Sequence, residues 1–592
     1  MSACGGGGGG GGGSGSSSSQ SDASTPRSNT PVTPANPSPT PTTPQTDAPG
    51  LPVPSVDDDG YAPPKYTPSP DGWVFKQDAL RFLNQSTFGA TADDLAHVEE
   101  IGFEAWLDEQ FATPRTGYNG FIYYSTSAPA NCRTDSSVKG TPENICARDH
   151  YSLFDVQRQF FANAISGRDQ LRQRVAFALS QIFVVSGNEI THAAGMAGYQ
   201  NMLLDRAFGN YRDLLEDVTL SPVMGLYLDM INNAKGNPAR NTQPNENYAR
   251  ESLQLFSIGL EALNLDGTAK RDAQGMPIPT YDQSVISEFA RVYTGWTFAP
   301  VDGASSQWTN PSNLVAPMVA IDEQHDVGSK VLLDGVTLPP GRTAREDLDA
   351  ALDVVFNHPN VGPFMAQRLI QHLVTSNPTP AFVARVASTF NDNGRGVRGD
   401  LKAVVRAILM DPEARGQRAQ TADFGRLKDP ALFITSFMRG LGGRSDGVFL
   451  RSQSSLMGQN IFTAPSVFNF YSPLNKIRGT DVLGPEFGIY DSNRSLLRAE
   501  FVYQLIYGGG AAPADNVIDS TGTSIDFTAL AARSPDAVID ELDVLLTGAS
   551  LSDAARQIVK NALSSPALTS RKARAQMALY LFGVSPQFQV VQ

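Results

Sequence analysis

The sequence predicts an all-α globular body for most of this 592-residue chain. Two observations indicate this class: apolar residues recur at the three- and four-residue spacing of one helix face, and glycine and proline separate these segments at helical lengths. A third observation predicts one region that is not helical. Around residues 265–340, Gly, Pro and Asp turn signals divide short apolar alternations, which predicts small β-hairpins within the mainly helical body.

The first 70 residues consist largely of Gly, Ser, Thr, Pro and Asn. Such a segment has few apolar side chains to bury, so residues 1–70 are predicted to form a disordered stalk. Within this stalk, Cys4 follows two small residues and precedes a glycine, which resembles the cleavage box of a bacterial lipoprotein signal peptide. We therefore expect Cys4 to carry a lipid; the alternative is a chance cysteine in a low-complexity tail.

Charge and hydropathy exclude two classes of partner. The net charge of −14 and the pI near 5.0 argue against nucleic acid, because phosphate binding needs clustered Lys and Arg and no basic run occurs. No stretch approaches about 18 uninterrupted apolar residues, so membrane contact is expected only through the lipid anchor. Gly5 after Cys4 resembles the outer-membrane sorting pattern, and we expect a cell-envelope protein, in the outer membrane or at the cell surface.

The remaining cysteines, Cys132 and Cys146, form an even pair within a loop-like segment. They predict a disulfide, which requires an oxidising compartment. The alternative is a metal site, which would need more neighbouring Cys or His ligands than His150.

The predicted helices continue from near Trp73 to the last residues. In chain order they span 79–85, 91–102, 151–165, 168–187, 195–217, 222–231, 244–260, 280–298, 345–357, 360–374, 380–391, 399–410, 428–440, 496–507, 535–546, 551–563 and 570–582. Thr280 and Gln283 match a capping box for one of them. The glycine-rich loop 508–513 separates a main domain, 71–510, from a C-terminal helical part, 511–592.

Helix 244–260, PNENYARESLQLFSIGL, separates polar from apolar residues most cleanly. Its polar face carries Asn247, Arg250, Glu251 and Gln254, opposite a broad apolar stripe. This face has two interpretations: an internal ion-pair and amide network that locks helices together, or a polar patch that lines a cleft.

The candidate catalytic residues are Glu251, Glu288, His325 and Asp326. The adjacent His325 and Asp326 suit a metal ligand, a general base or a hydrogen-bonded turn. With both glutamates, His325 would suit a divalent metal, Zn²⁺ or Mn²⁺, whereas the two carboxylates alone would suit acid–base chemistry on a glycoside. The candidate binding residues are Asn247, Arg250, Gln254, Arg291 and Lys330.

Seven segments are similar to successive motifs of one bacterial family. They are ALRFLNQSTFGAT at 79–91, LRQRVAFALSQIFVVS at 171–186, NENYARESLQLFSIG at 245–259, SEFARVYTGW at 287–296, HDVGSK at 325–330, APSVFNFYSP at 464–473 and the closing SPQFQVV. On these residues the chain resembles the domain-of-unknown-function 1800 family, DUF1800, over roughly residues 75–592. The resemblance implies an exported helical protein, often encoded beside a secreted sulfatase-like family whose members are candidate partners, and it implies no established reaction.

The chain departs from this family at one place. Many relatives have a Trp-His-Asn-His run where this chain has Leu179-Ser180-Gln181-Ile182. A mechanism that needs those histidines cannot operate here.

Two functions remain as hypotheses. The first is a lipid-anchored surface binding or assembly component, whose partner is another exported protein or a surface polymer. The second is an extracytoplasmic hydrolase of a polysaccharide or of a sulfated or esterified polymer, with a carboxylate–histidine site that holds a metal or acts without one. We favour the first, because the sequence contains no motif of catalytic specificity.

Overall fold

The computed structural model describes residues 73–121, 123, 132, 142–301, 305–415 and 423–591. These residues fall in one compact unit, Tyr61–Gln592. The unit is built mainly of helices with a few very short strands, which confirms the predicted all-α class. The predicted stalk and Cys4 lie outside the described residues.

The helices follow one another along the chain with short connections. From the start to the central segment they are α1 (Trp73–Ser86), α2 (Ala92–Ile101), α3 (Phe103–Ala112), α4 (Pro142–Tyr151), α5 (Phe154–Ser166), α6 (Gln170–Ile182), α7 (Ala193–Arg206), α8 (Tyr211–Leu220), α9 (Pro222–Tyr227), α10 (Asn247–Gln254) and α11 (Gln283–Val292). The later helices are α12 (Ala344–Asn357), α13 (Val361–Leu373), α14 (Pro380–Asn391), α15 (Leu401–Met410), α16 (Pro412–Arg415), α17 (Pro430–Gly440), α18 (Val448–Leu456), α19 (Ser492–Ile506), α20 (Thr528–Ala531), α21 (Pro535–Thr547), α22 (Asp553–Leu563), α23 (Arg571–Gly583) and α24 (Pro586–Gln589).

The strands form two-residue antiparallel pairs. They are β1 (Trp296–Thr297) with β2 (Val319–Ala320), β3 (Lys330–Val331) with β4 (Thr337–Leu338), β5 (Arg426–Leu427) with β8 (Val590–Val591), and β6 (Arg444–Ser445) with β7 (Thr523–Ser524). Isolated bridges such as Arg271 to Pro277 add a further turn of extended chain between α10 and α11. The small hairpins predicted around 265–340 are thereby confirmed.

Local hydrogen bonding changes two predicted helix boundaries. The predicted helix 195–217 is two helices, α7 and α8, because the Asn210 side chain accepts a hydrogen bond from Arg212 N and starts a new helix. Helix α11 begins at Gln283, and its N-cap is Asp282, whose carboxylate accepts from Ser284 N and Val285 N. The capping box predicted at Thr280 and Gln283 is therefore wrong.

The central helix α10 is shorter than the predicted 244–260. After Gln254 the hydrogen bonds widen to a five-residue spacing, from Phe256 N to Glu251 O and from Ile258 N to Leu253 O. Gly259 then adopts a φ of 73°, which favours glycine and ends the turn.

Helix α6 lies at the centre of the main core and is buried over nearly its whole length. Helix α13 packs on it and also against α14 and α15. Aromatic rings fill the surrounding space; Phe160, for example, contacts Phe88 and Phe177 with centroid separations of 5.6 and 5.2 Å. This packing fixes α6 against α5, and α13 contacts α6 directly.

A disulfide joins Cys132 to Cys146 on α4, with 5.0 Å between the Cα atoms. The predicted pairing is confirmed. Among the described residues, no helix combines the length and the apolar character needed to cross a bilayer.

Candidate functional site

The residues nominated from the sequence fall into separate groups, and the first surrounds a buried carboxylate, Asp347 on α12. Lys330 Nζ donates to Asp347 Oδ2 at 2.6 Å, and Arg342 Nε donates to Oδ1 at 2.6 Å. His325 Nε2 lies 3.1 Å from Oδ2, while its Nδ1 lies 2.9 Å from the Thr294 carbonyl oxygen. His325 is therefore held by Asp347, not by its chain neighbour Asp326.

This Asp347 cluster joins the β3 hairpin to α12. His325, Lys330 and Asp347 are almost completely buried. Burial alone would raise the pKa of Asp347, but hydrogen bonds from His325 and Lys330 and the Lys330 charge lower it to about 2. A carboxylate with both oxygens bonded to cations has little remaining capacity for a ligand.

The second group is an ion-pair network at the surface. Arg291 Nε and Nη2 donate to the two carboxylate oxygens of Asp326 at 3.1 and 2.9 Å, and Nη1 donates to Glu288 Oε2 at 2.7 Å. Such a bidentate pair is a strong and directional contact. Glu288, Arg291 and Asp326 are thus brought together, with one guanidinium shared between two carboxylates.

The third group lies on α10. Arg250 Nη2 donates to Glu246 Oε2 at 3.1 Å, and Asn247 Nδ2 donates to Asp229 Oδ2 at 3.1 Å. Gln254, the last residue of the helix, is half-buried. The Asn247 contact ties α10 to Asp229 outside the helix, whereas the Arg250–Glu246 pair joins residues one turn apart.

Glu251 differs from these paired groups. Its side chain is buried, and Oε2 has no hydrogen-bond partner among the described residues. Burial raises its pKa above the ordinary value, an effect that the Arg250 charge offsets only in part. The hydroxyl of Tyr281, close enough to feel the Glu251 charge, is likewise buried without a partner.

We expect Glu251→Gln to stabilise the fold by about 1 kcal/mol at pH 7, because the substitution removes a buried, incompletely bonded charge. The folded-state pKa of Glu251 lies above the ordinary 4.5. The ionised carboxylate therefore destabilises the fold at pH values above the folded-state pKa, and this destabilisation disappears below pH 4.5. The advantage of the variant should therefore shrink as the pH falls toward about 4. Thermal melts at both pH values measure it.

The matched control is Glu261→Gln, which removes an exposed carboxylate nearby in the sequence. This control should leave the melting temperature unchanged. A loss of stability in Glu251→Gln at pH 7 would contradict the interpretation of Glu251 as an unsatisfied charge.

The described residues contain no group of three or more His, Cys, Asp or Glu side chains arranged to bind a metal. His325 lies in the Asp347 cluster, Glu288 in the surface network, and Glu251 on α10. The structure therefore brings Glu288, Arg291 and Asp326 together, bonds His325 to Asp347, and leaves Glu251 outside both groups.

A cleft at the junction of α6 and α13 is the better candidate for a binding site. Its cavity measures about 70 Å³. The walls come from five separate segments and are lined by Gln181, Ile182, Leu255, Phe364, Arg368, Gln371, His372, Val467, Phe468, Asn469, Tyr471, Pro473, Pro485 and Glu486. We call this site the α6–α13 cleft.

Buried charged side chains pack against the residues that line the α6–α13 cleft. Arg426 Nε and Nη2 donate to Glu486 Oε1 at 2.9 and 2.6 Å, and Nη1 donates to the His372 carbonyl oxygen at 2.7 Å. Arg174 also donates to that carbonyl oxygen. Asp429 lies 3.5 Å from Arg426 and accepts from the Tyr471 hydroxyl at 3.4 Å.

Several buried polar atoms at the cleft have no partner among the described residues. They are Gln181 Nε2 and Glu486 Oε2 on lining residues, and Arg174 Nε and Nη1 behind the lining residue His372. The Gln181 side-chain oxygen Oε1, by contrast, accepts from the Tyr471 hydroxyl and Asn469 Nδ2 at 3.0 and 3.2 Å, which aligns the side-chain amide. Native proteins rarely leave buried polar atoms unbonded, so these atoms indicate a place where a ligand or water binds.

Arg368 on α13 adds an uncompensated charge. Its Nη1 donates to Gln371 Oε1 at 3.1 Å, and its guanidinium lies over the Phe364 ring, but it forms no ion pair with a carboxylate of the described chain. Burial lowers its pKa to about 10, so Arg368 remains charged at pH 7. Burial and the nearby arginines lower the pKa of His372 well below its ordinary value, so that imidazole is neutral.

Local charges at the cleft therefore do not balance. Arg174, Arg368 and Arg426 supply three guanidinium groups, against at most two carboxylates, Asp429 and Glu486. Phe468 lines the same cleft with half of its surface exposed.

Most of these residues are not among the candidates nominated from sequence motifs. Tyr471 and Asn469 belong to the segment 464–473 that carried the family resemblance, and Gln181 to the departing run. An arginine and a histidine four residues apart, Arg368 and His372, on an otherwise apolar helix were the available signal.

A family model described as a protein of unknown function, DUF1800, matches residues 81–590. No curated protein and no solved structure matches the chain.

Proposed function

The chain belongs to the DUF1800 family, and on that premise we propose that it is an exported, lipid-anchored surface component of the bacterial cell envelope that binds an acidic polysaccharide in the α6–α13 cleft. The observation that carries the proposal is Arg368, a half-buried guanidinium without a carboxylate partner among the described residues. A carboxylate or sulfate on the ligand would supply the missing negative charge.

The other cleft residues suit a sugar. The exposed Phe468 ring offers an apolar face on which the C–H face of a pyranose packs, removing apolar surface from water. The Gln181 amide and the free Glu486 oxygen offer a donor and an acceptor for hydroxyl groups. At about 70 Å³ the cavity is smaller than a pocket for a whole ligand, so it would take only a charged substituent of the polymer, while the sugar ring packs outside on Phe468.

The envelope location rests on the sequence. Cys4 would hold the lipid, and the disulfide Cys132–Cys146 fits an oxidising compartment. An exported sulfatase-like protein encoded nearby remains the proposed partner; such an enzyme and this protein would act on the same sulfated polymer.

The proposal is tested by measuring binding to a polyuronate, a sulfated polysaccharide and a neutral glucan by calorimetry. We expect the wild type to prefer the acidic polymers and Arg368→Gln to bind them at least about tenfold more weakly, because a charge-assisted contact is lost. Phe468→Ala should weaken binding several-fold without changing the preference for acidic polymers.

Arg395→Gln is the matched control, since Arg395 is an exposed arginine outside the cleft. It should bind like the wild type. Equal binding of the neutral glucan, or an equal loss in Arg395→Gln, would overturn the proposal.

One observation supports the hydrolase as a second candidate function. A buried carboxyl group with a raised pKa, Glu251, has the character of a general acid. The same polymers, incubated with the wild type and with Glu251→Gln, would then release reducing ends only with the wild type. Absence of release from the wild type would remove this candidate.

A further inference from the structure

A second cavity lies among the C-terminal helices and is independent of the α6–α13 cleft. It measures about 290 Å³ and is bounded by the start of α21, the end of α22 and the first turns of α23. Its lining residues are Ala531, Ala532, Arg533, Ser534, Pro535, Val538, Leu563, Arg571, Arg574 and Ala575. Three of these are arginines, and none is acidic.

The positive charges of the three guanidinium groups are balanced by neighbouring groups to different degrees. Arg533 forms an ion pair with Glu541. Arg571 Nη1 donates to the Ala532 carbonyl oxygen at 3.2 Å, which leaves its positive charge unpaired. Arg574, half-buried, makes no side-chain hydrogen bond or ion pair with the described residues. The cavity thus carries excess positive charge in a chain whose net charge is −14.

Further positive potential comes from the backbone. Helices α21 and α23 begin at the cavity and α22 ends there, so two positive helix ends and one negative end border it, while Asp536 in the first turn of α21 is paired with Lys560. This contribution supplements the guanidinium groups, which are the main source of the field.

We propose that this cavity binds a tetrahedral oxyanion, a phosphate or sulfate group. Arg571 and Arg574 lie one helical turn apart on α23, and Arg533 faces them from the α20–α21 connection. Donors on separate elements suit an anion with several oxygens better than a planar carboxylate, which one guanidinium satisfies. The volume also exceeds that of the bare ion, so the anion can be an ester on a larger molecule.

The test is calorimetric titration of the full chain with inorganic phosphate, inorganic sulfate and a hexose phosphate, each up to about 10 mM, with the melting temperature as a second readout. We expect saturable binding and a rise in melting temperature. Arg574→Gln should weaken binding at least about tenfold, and Arg571→Gln should weaken it less, because Arg571 already has a backbone contact.

Lys572→Gln is the matched control. It removes one positive charge from the same first turn of α23, but Lys572 does not line the cavity. The affinity of Lys572→Gln for the three anions should stay within about twofold of the wild-type affinity. Tighter binding of the hexose phosphate would indicate a sugar-borne ester, and tighter binding of an inorganic ion would indicate a free anion.

Two results would overturn the proposal: no saturable binding of any of the three anions, or the same loss in Lys572→Gln as in Arg574→Gln. Circular dichroism of each variant establishes that it is folded. Because none of these residues lines the α6–α13 cleft, failure here leaves the polysaccharide proposal intact, and the converse also holds.

Discussion

Replacing Asp347 with asparagine is expected to lower the free energy of unfolding by about 3–5 kcal/mol, since the Lys330 ammonium would stay buried without a counter-charge. Lys330 would keep contacts to the carbonyl oxygens of Asp326 and Gly328, and Arg342 would lose its partner carboxylate. Thermal and urea unfolding of the variant at pH 7 measure the effect.

The pH dependence gives the same prediction a second readout. The folded-state pKa of Asp347, about 2, lies below the ordinary 3.8. A carboxyl group whose pKa is lowered by folding stabilises the folded state at pH values above its unfolded-state pKa. This stabilisation is lost as the pH falls through the folded-state pKa. The difference between the wild type and Asp347→Asn should therefore shrink between about pH 4 and pH 2.

Asp349→Asn serves as the control. Asp349 lies on the same helix, two residues further on, but its ion pair with Arg345 is solvent-exposed and worth at most about 1 kcal/mol. If Asp349→Asn were as destabilising as Asp347→Asn, the buried cluster would not be the cause.

The second large effect is expected from Arg426→Met. The substitution would leave the Glu486 carboxylate buried without its cation and should cost about 3–5 kcal/mol. Glu486 lines the α6–α13 cleft, so polysaccharide binding should weaken as well. Chemical unfolding and calorimetry measure the two losses separately.

A double-mutant cycle distinguishes this pair from general damage to the core. The double variant Arg426→Met/Glu486→Gln has no unpaired buried carboxylate. Its free energy of unfolding should therefore exceed, by about 1–3 kcal/mol, the value that the sum of the two single losses predicts. Additive losses would mean that the two side chains do not stabilise each other.

The helical architecture could be predicted because its causes are local. Apolar spacing and terminal glycines, prolines and capping residues predicted α12 to α15 within two residues of the observed bounds. Errors arose where two local signals competed. Asp282 outcompetes Thr280 as a cap because its carboxylate reaches two backbone amides, a geometry that spacing in sequence does not reveal.

The side-chain partnerships of the site depend on tertiary packing. His325 and Asp326 are adjacent in the chain, yet their side chains bond to Asp347 and Arg291, respectively, on different helices. The cleft likewise draws its walls from segments more than 300 residues apart, from Gln181 to Glu486. A pattern read along one chain identifies which side chains are polar, but it does not identify which of them meet.

The composition of the cleft wall has an evolutionary consequence. Gln181 and Ile182, at the end of α6, form one wall of the α6–α13 cleft. The buried Arg426–Glu486 ion pair lies on other segments of the chain. Substitution of the two wall residues can therefore change which ligand the proposed site binds while leaving the ion pair untouched, so that specificity can evolve without loss of the fold.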